Sequence, residues 1–113
     1  MKQLTVIVNE ALEEVKGENI ITLDVSNITA VMDTVIVVSG STNRQVKALS
    51  NAVIEASKKA GFQPLGVEGM DGGEWVLVDL IDVVVHIMQP AVRDFYELEK
   101  LWSVRHNDIV VDN

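Results

Sequence analysis

At 113 residues, with 9 Lys and Arg against 17 Asp and Glu, the chain carries a net charge of −8 and fits one domain with a single modest core. The absence of cysteine excludes disulfides, thiolate metal ligands and a cysteine nucleophile. The acidic balance disfavours direct binding to nucleic acid, because a phosphate backbone calls for a basic patch. The apolar runs are too short to span a bilayer and no signal peptide is expected, so we predict a soluble, cytoplasmic protein.

Apolar residues at helical spacing predict three helices, and short β-branched runs bounded by polar residues or glycine predict five strands. Ser41 or Thr42 can cap the second helix, and Pro90 can open the third, where a missing N–H costs little. The second helix is expected to bury a stripe comprising Val46, Leu49, Val53, Ala56 and Ala60. The predicted elements are a helix over 3–16, strands over 20–25 and 34–39, a helix ending at Gly61, a strand over 63–68, a mobile turn over 69–73, strands over 74–79 and 82–88, and a helix from residue 90.

The order of these elements, αββαβββα, predicts an α/β fold in which a mixed sheet of about five strands is flanked by helices. The strands over 74–79 and 82–88 are joined by a short turn, so we expect them to form an antiparallel hairpin. Residues 1–103 are expected to form a single domain, with residues 104–113 as a C-terminal tail.

The turn Ser39–Ser41 lies between a strand and a helix, where backbone N–H groups could hold an anion. A nucleotide-using transferase built on Ser39 and Ser41 is therefore one hypothesis. That chemistry needs paired carboxylates that hold metal ions, yet the first acid after the turn is Glu55, in the middle of a helix. His86 and His106 have no carboxylate pair at ligand spacing and make a poor zinc site. We therefore expect no catalysis, no metal and no cofactor.

The first strand of the hairpin carries an unusual face. Alternation places Trp75, Leu77 and Asp79 on one side and valines on the other. The Asp79 side is the better candidate for solvent, and an exposed tryptophan beside an aliphatic residue and acids is typical of a protein-binding hot spot. The alternative is a core tryptophan whose N–H is satisfied.

On the next strand, Val84, His86 and Met88 share a face by the same alternation. Whether they lie on the Trp75 side depends on the hairpin register, which the sequence does not fix. The surrounding segment is acidic, either as a solvated surface or as a docking face for a basic protein. From residue 66 to 99 there is one base, Arg93, and eight acids: Glu68, Asp71, Glu74, Asp79, Asp82, Asp94, Glu97 and Glu99.

Several segments resemble the ribosomal silencing factor (Iojap-related) family, and the similarity covers residues 4–103. In the first half, residues 32–41 and 44–48 look like the family's strand, turn and helix. The second half is more specific, with W-V-L-V-D over 75–79, V-V-V-H-I over 83–87 and R-D-F-Y-E-L-E-K-L-W over 93–102. One departure is Leu80-Ile81-Asp82, where the family more often has a glycine in the turn.

The resemblance implies a fold similar to that of nucleotidyltransferases but without the catalytic acids. It also implies a translational repressor that binds the large ribosomal subunit through ribosomal protein L fourteen and sterically blocks joining of the small subunit. A homodimer is expected, and a self-pairing adaptor domain remains an alternative. The contact residues that we predict are Trp75, Leu77, Asp79, His86, Met88, Tyr96 and Glu99, with apolar groups as anchors and acids as steering groups.

Overall fold

The computed structural model describes residues 3–96 of the chain, and the side chains of residues 3–94. In this part of the chain the predicted order αββαβββα is confirmed. The elements are α1 (Leu4–Glu14), β1 (Glu18–Asp24), β2 (Thr34–Ser39), α2 (Asn43–Lys59), β3 (Gly66–Glu68), β4 (Trp75–Asp79), β5 (Val83–Met88) and α3 (Pro90–Tyr96).

The five strands form one mixed sheet in the order β1-β2-β5-β4-β3, which confirms the predicted fold class. β2 and β5 are parallel, and the other neighbouring pairs are antiparallel. The third strand begins at Gly66 rather than at Gln63. The physical reason lies at Pro64, which has no N–H to donate to a strand ladder.

One face of the sheet is closed by the first two helices. Val8 and Leu12 of α1 and Leu49 of α2 have no exposed surface, and they pack against Ile36 of β2 and Val76 of β4 in one apolar core. Fully burying such a side chain stabilises the fold by roughly 1.5–3 kcal/mol. This face therefore carries most of the apolar stabilisation.

The second helix begins as predicted, since the Thr42 hydroxyl oxygen accepts a hydrogen bond from the Gln45 backbone N–H at 3.0 Å. Its buried stripe differs from the prediction, because Ala56 and Ala60 are only half-buried. Ala56 lies to one side of the 3.6-residue period that starts at Val46, and Ala60 follows the last helical residue. The buried residues are Val46, Leu49, Ser50, Val53 and Ser57.

The opposite face of the sheet holds a smaller apolar cluster. Val35, Val37 and Met88 are buried there, and Val92 of α3 packs against them. Arg93 of the same helix donates a hydrogen bond to the Ser39 hydroxyl at 2.8 Å, which fastens α3 to the end of β2. β2 is thus buried on both faces, whereas β4 lies at the border of this smaller cluster.

Candidate functional site

The antiparallel pairing of β4 and β5 confirms the predicted hairpin and fixes its register. Of the five residue pairs that face each other directly, three alternate along one side: Trp75 with Met88, Leu77 with His86, and Asp79 with Val84. Cross-strand partners point to the same side of a sheet, so both predicted triplets lie together. Val76 and Val78 belong to the core under the helices, so this shared side is the one opposite α1 and α2.

Four side chains on this side are neither core nor fully exposed: Trp75, Leu77, Asp79 and His86. We call these four residues the Trp75 face. Half-burial of an aromatic and an aliphatic side chain leaves apolar area that a partner can cover. The structure therefore brings together four of the seven residues that the sequence predicts as contacts.

The remaining predicted contacts differ in position. Met88 has no exposed surface, because it lies beneath Trp75 and packs with Val35 and Val37. A side chain in that position supports the face and does not reach a partner, so the prediction for Met88 needs correction. The Tyr96 side chain and Glu99 lie outside the described residues.

Trp75 and His86 are joined by a hydrogen bond across the hairpin. The indole Nε1–H donates to His86 Nδ1 at 3.1 Å, and the two ring centroids are 6.0 Å apart with an interplanar angle of 47°. Burial lowers the pKa of His86 from 6.5 to about 4, so the ring is neutral at pH 7 and Nδ1 can accept. Trp75 is thus half-buried with its N–H satisfied. It combines features of the two alternatives given above, an exposed tryptophan and a core tryptophan with a satisfied N–H.

The turn before β4 is built for glycine. Gly69 and Gly73 have φ of +92° and +70°, and the Gly73 N–H donates to the Gly69 carbonyl at 3.1 Å. A Cβ at Gly69 would collide with the Trp75 carbonyl oxygen, so a larger residue there would displace the start of β4. Glu68 and Gly69, with Trp75 and Leu77, line a shallow depression of about 280 Å³.

The turn after β4 departs from the geometry that its sequence favours. Ile81 adopts φ of +75°, a left-handed conformation that is unusual for a β-branched residue. The Asp82 N–H donates to the Leu80 carbonyl at 3.0 Å, as in a γ-turn, and the Ile81 N–H donates to Asp79 Oδ1 at 2.8 Å. One oxygen of Asp79 therefore supports the turn, and the hairpin closes without a glycine.

The segment that carries the Trp75 face, residues 66–94, is acidic. Residues 66–94 contain one base, Arg93, which is buried with 7% exposure and bonded to Ser39. Five acids in this range are exposed and Asp79 is half-buried; the exposed ones are Glu68, Asp71, Glu74, Asp82 and Asp94. No exposed Lys or Arg offsets these charges within residues 66–94, so a positively charged partner is favoured.

The Ser39–Ser41 turn gives the transferase hypothesis little support. Ser39 is buried and its hydroxyl accepts from Arg93, at the edge of a cavity of about 400 Å³ that is also lined by Ile21 and Asp94. Between residues 3 and 94, the acidic and histidine side chains form no group of three or more that could hold a metal ion. Among the described helices, none has the length and apolar character to cross a membrane.

Sequence reasoning found the residues of the Trp75 face but missed two contacts that organise it. The Trp75–His86 hydrogen bond joins diagonal neighbours, which become visible only once the register is known. The Arg93–Ser39 bond joins residues 54 positions apart, and no local pattern signals it.

The fold and the face define a small mixed α/β domain with a half-buried aromatic site on an acidic surface. A family model described as "Ribosomal silencing factor during starvation" matches residues 1–113. This chain belongs to that family, and the resemblance read from its sequence is confirmed.

Individual relatives agree with this assignment. "Ribosomal silencing factor RsfS" of Chromobacterium violaceum is 51% identical over 103 residues, which span 91% of this chain and 84% of the relative. The protein of the same name from Haemophilus influenzae is 42% identical over 94 residues, or 83% of this chain and 92% of the relative. A crystal structure of a Chromobacterium violaceum protein superposes with a TM-score of 0.87 at 52% identity, covering 88% of this chain and 83% of that one.

Proposed function

We propose that this protein is a translational repressor that binds the large ribosomal subunit and acts without catalysis. Its partner there is ribosomal protein L fourteen, and the bound repressor sterically blocks joining of the small subunit. Family membership supports a role at the ribosome during starvation. We propose a cytoplasmic location, which agrees with the bacterial origin of the most similar relatives reported above.

The observation that carries the proposal is the position of Trp75, Leu77, Asp79 and His86 on one half-buried side of the hairpin. Aromatic and aliphatic groups of this kind are the usual anchors of protein interfaces. The acids around them suit a basic ribosomal protein, because complementary charge raises the association rate and disfavours wrong partners.

The side chains have distinct roles in this proposal. Trp75 and Leu77 anchor the partner through the depression that they line, and Asp79 adds negative charge while it supports the hairpin turn. Tyr96 and Glu99 extend the contact, as the family resemblance implies. The protein is also proposed to form a homodimer, and self-pairing through the same face would compete with ribosome binding.

The test is sedimentation of purified large and small subunits with and without the protein. We expect the protein to travel with the large subunit and to lower the yield of joined particles. Because the block is steric, it should be stronger when the protein is added before the subunits are mixed than after they have joined. A protein that sediments with neither subunit would contradict the proposal.

A matched pair of variants on β4 separates the interface from the fold. Leu77→Ala removes an anchor on the Trp75 face and should release the protein from the large subunit. Val78→Ala, on the helix side of the same strand, should lower stability while the folded fraction binds as wild type. Equal effects of the two variants on binding would place the interface elsewhere.

The competing self-pairing is tested by size-exclusion chromatography. A dimer that dissociates when the basic partner is added would support competition for one face. A dimer that keeps its form in the bound complex would show that self-pairing uses a different surface.

A further inference from the structure

His86 has two ring nitrogens with different surroundings. Nδ1 accepts the Trp75 indole N–H at 3.1 Å. In a neutral imidazole one nitrogen accepts and the other carries the proton. The hydrogen bond therefore assigns the proton of His86 to Nε2 and makes that nitrogen a donor.

The Nε2–H has no hydrogen-bond partner among residues 3–94. Nor is Nε2 fully buried. Among residues 3–94, the side-chain polar atom that is both fully buried and without a hydrogen-bond partner is Ser57 Oγ, so an unpartnered Nε2 must have exposed surface. His86 is half-buried and pairs directly with Leu77 on β4 and with Val37 on β2. The donor therefore reaches solvent from between two apolar neighbours.

This arrangement changes what Trp75 offers to a partner. An indole normally brings an apolar ring and one N–H donor to an interface. Here the N–H is already donated to His86, so the ring acts as an apolar group held in one orientation. The side-chain donor that this pair of rings offers to a partner is therefore His86 Nε2–H. It lies on β5, diagonally across the hairpin from the indole.

We propose that His86 is a specificity-determining residue of the Trp75 face, which positions the Trp75 indole through Nδ1 and donates from Nε2–H to a backbone carbonyl of the bound partner. The inference rests on the proposed function and names the partner chemistry at the same site. Lys and Arg side chains are donors only, so a basic protein meets this donor most readily with its main chain. A partner that covers Nε2 without offering an acceptor leaves a buried donor unsatisfied and binds more weakly.

The test uses three substitutions that divide the two functions of the ring. His86→Asn places an acceptor near the position of Nδ1 and removes the outward donor. His86→Gln places a donor near the position of Nε2 and removes the acceptor for the indole. His86→Leu removes both groups and keeps an apolar side chain of similar size.

The readout of positioning needs no partner. In a background of Trp102→Phe and His106→Gln, one indole and one imidazole remain, so their nitrogen and N–H resonances belong to Trp75 and His86. With His86 unchanged in this background, we expect its imidazole to be neutral and protonated at Nε2. The Trp75 indole N–H resonance should stay near its wild-type position in His86→Asn and move in His86→Gln and His86→Leu. A ring protonated at Nδ1 would overturn the inference.

The readout of specificity is binding to purified large subunits, with thermal unfolding to confirm that each variant is folded. We expect His86→Asn and His86→Leu to bind about tenfold more weakly, the loss expected for one hydrogen bond, and His86→Gln to lie between them and the wild type. Wild-type affinity in His86→Asn would overturn this inference alone. Failure of the wild-type protein to bind the large subunit would overturn it together with the proposed function.

Discussion

The two faces of the central sheet are built from different chemistry. The helix side gathers fourteen buried apolar residues from α1, α2, three strands and the turn residue Leu80, whereas the opposite side gathers four: Val25, Val35, Val37 and Met88. At the border of the smaller cluster stand a tryptophan, a histidine and an aspartate, all half-buried. The helix side supplies most of the apolar burial that stabilises the fold. The opposite side can therefore keep polar and aromatic groups available for a partner.

The largest effect is expected from a cavity on the helix side. Leu49→Ala removes a fully buried side chain from the centre of the core, and we expect it to lower the free energy of unfolding by about 3 kcal/mol. Chemical denaturation measures this loss. Asn51→Ala, at an exposed position of the same helix, is the control and should change stability by no more than about 0.5 kcal/mol. A loss below about 1 kcal/mol for Leu49→Ala would mean that this face is not the main source of stability.

The opposite result is expected on the Trp75 face, where binding should fall more than stability. Trp75→Ala should weaken binding to the large subunit by about 2 kcal/mol or more, the size of a hot-spot loss, in a protein that is still folded. Val76→Ala, the next residue on the strand, points into the core and serves as the control. If Val76→Ala weakened binding as much as Trp75→Ala at equal folded fraction, the division between the two faces would fail.

A pH titration distinguishes the faces through His86. Its pKa is lowered from 6.5 to about 4 in the folded protein because burial disfavours the charged ring, so the unfolded chain takes up a proton first on acidification. Stability from this group is present above pH 6.5 and is lost as the pH falls toward 4. Between pH 7 and 5 the loss should be about 2 kcal/mol.

The control for this titration is His86→Asn, because an asparagine side chain at position 86 does not titrate. Denaturation midpoints measured from pH 7 to 5 should show a shallower decline in the variant than in the wild type. Parallel curves for the two proteins would contradict a lowered pKa for His86.

The smallest effect is expected at the turn that joins the two strands of the face. Ile81→Gly relieves a β-branched residue of φ +75° and should raise stability by about 1 kcal/mol. Ile81→Ala shortens the side chain but keeps the left-handed backbone, so it should gain less. Thermal unfolding of the three proteins ranks them. Destabilisation by Gly would show that the exposed Ile81 side chain contributes more than the strain costs.

Much of the fold follows from local pattern in the sequence. β2 was predictable residue by residue, because a β-branched run bounded by Asp33 and Gly40 has no other plausible extent. Pro90 correctly marked the start of α3. The second helix stripe was predicted less well, since burial of Ser50 depends on its hydroxyl donating to the Val46 carbonyl at 2.8 Å.

The candidate site was only half predictable, because its composition is local and its assembly is not. Alternation gave Trp75, Leu77 and Asp79 a common side, but the hairpin register depends on a turn in which Ile81 takes a conformation that its side chain disfavours. The burial of Met88 follows from that register and from the cluster around Val37, to which distant segments contribute. Neither could be derived from spacing alone.

The parallel pairing of β2 with β5 also bears on how the chain reaches its fold. Thr34 pairs with Val83, 49 residues later, whereas Asp79 and Val84 of the hairpin are five residues apart. Closing the longer loop costs more chain entropy. The β4–β5 hairpin is therefore expected to form before β2 pairs with β5. During that interval the apolar edge of β5 is unpaired. On a newly synthesised chain, this strand edge is where we expect the earliest aggregation contacts to arise.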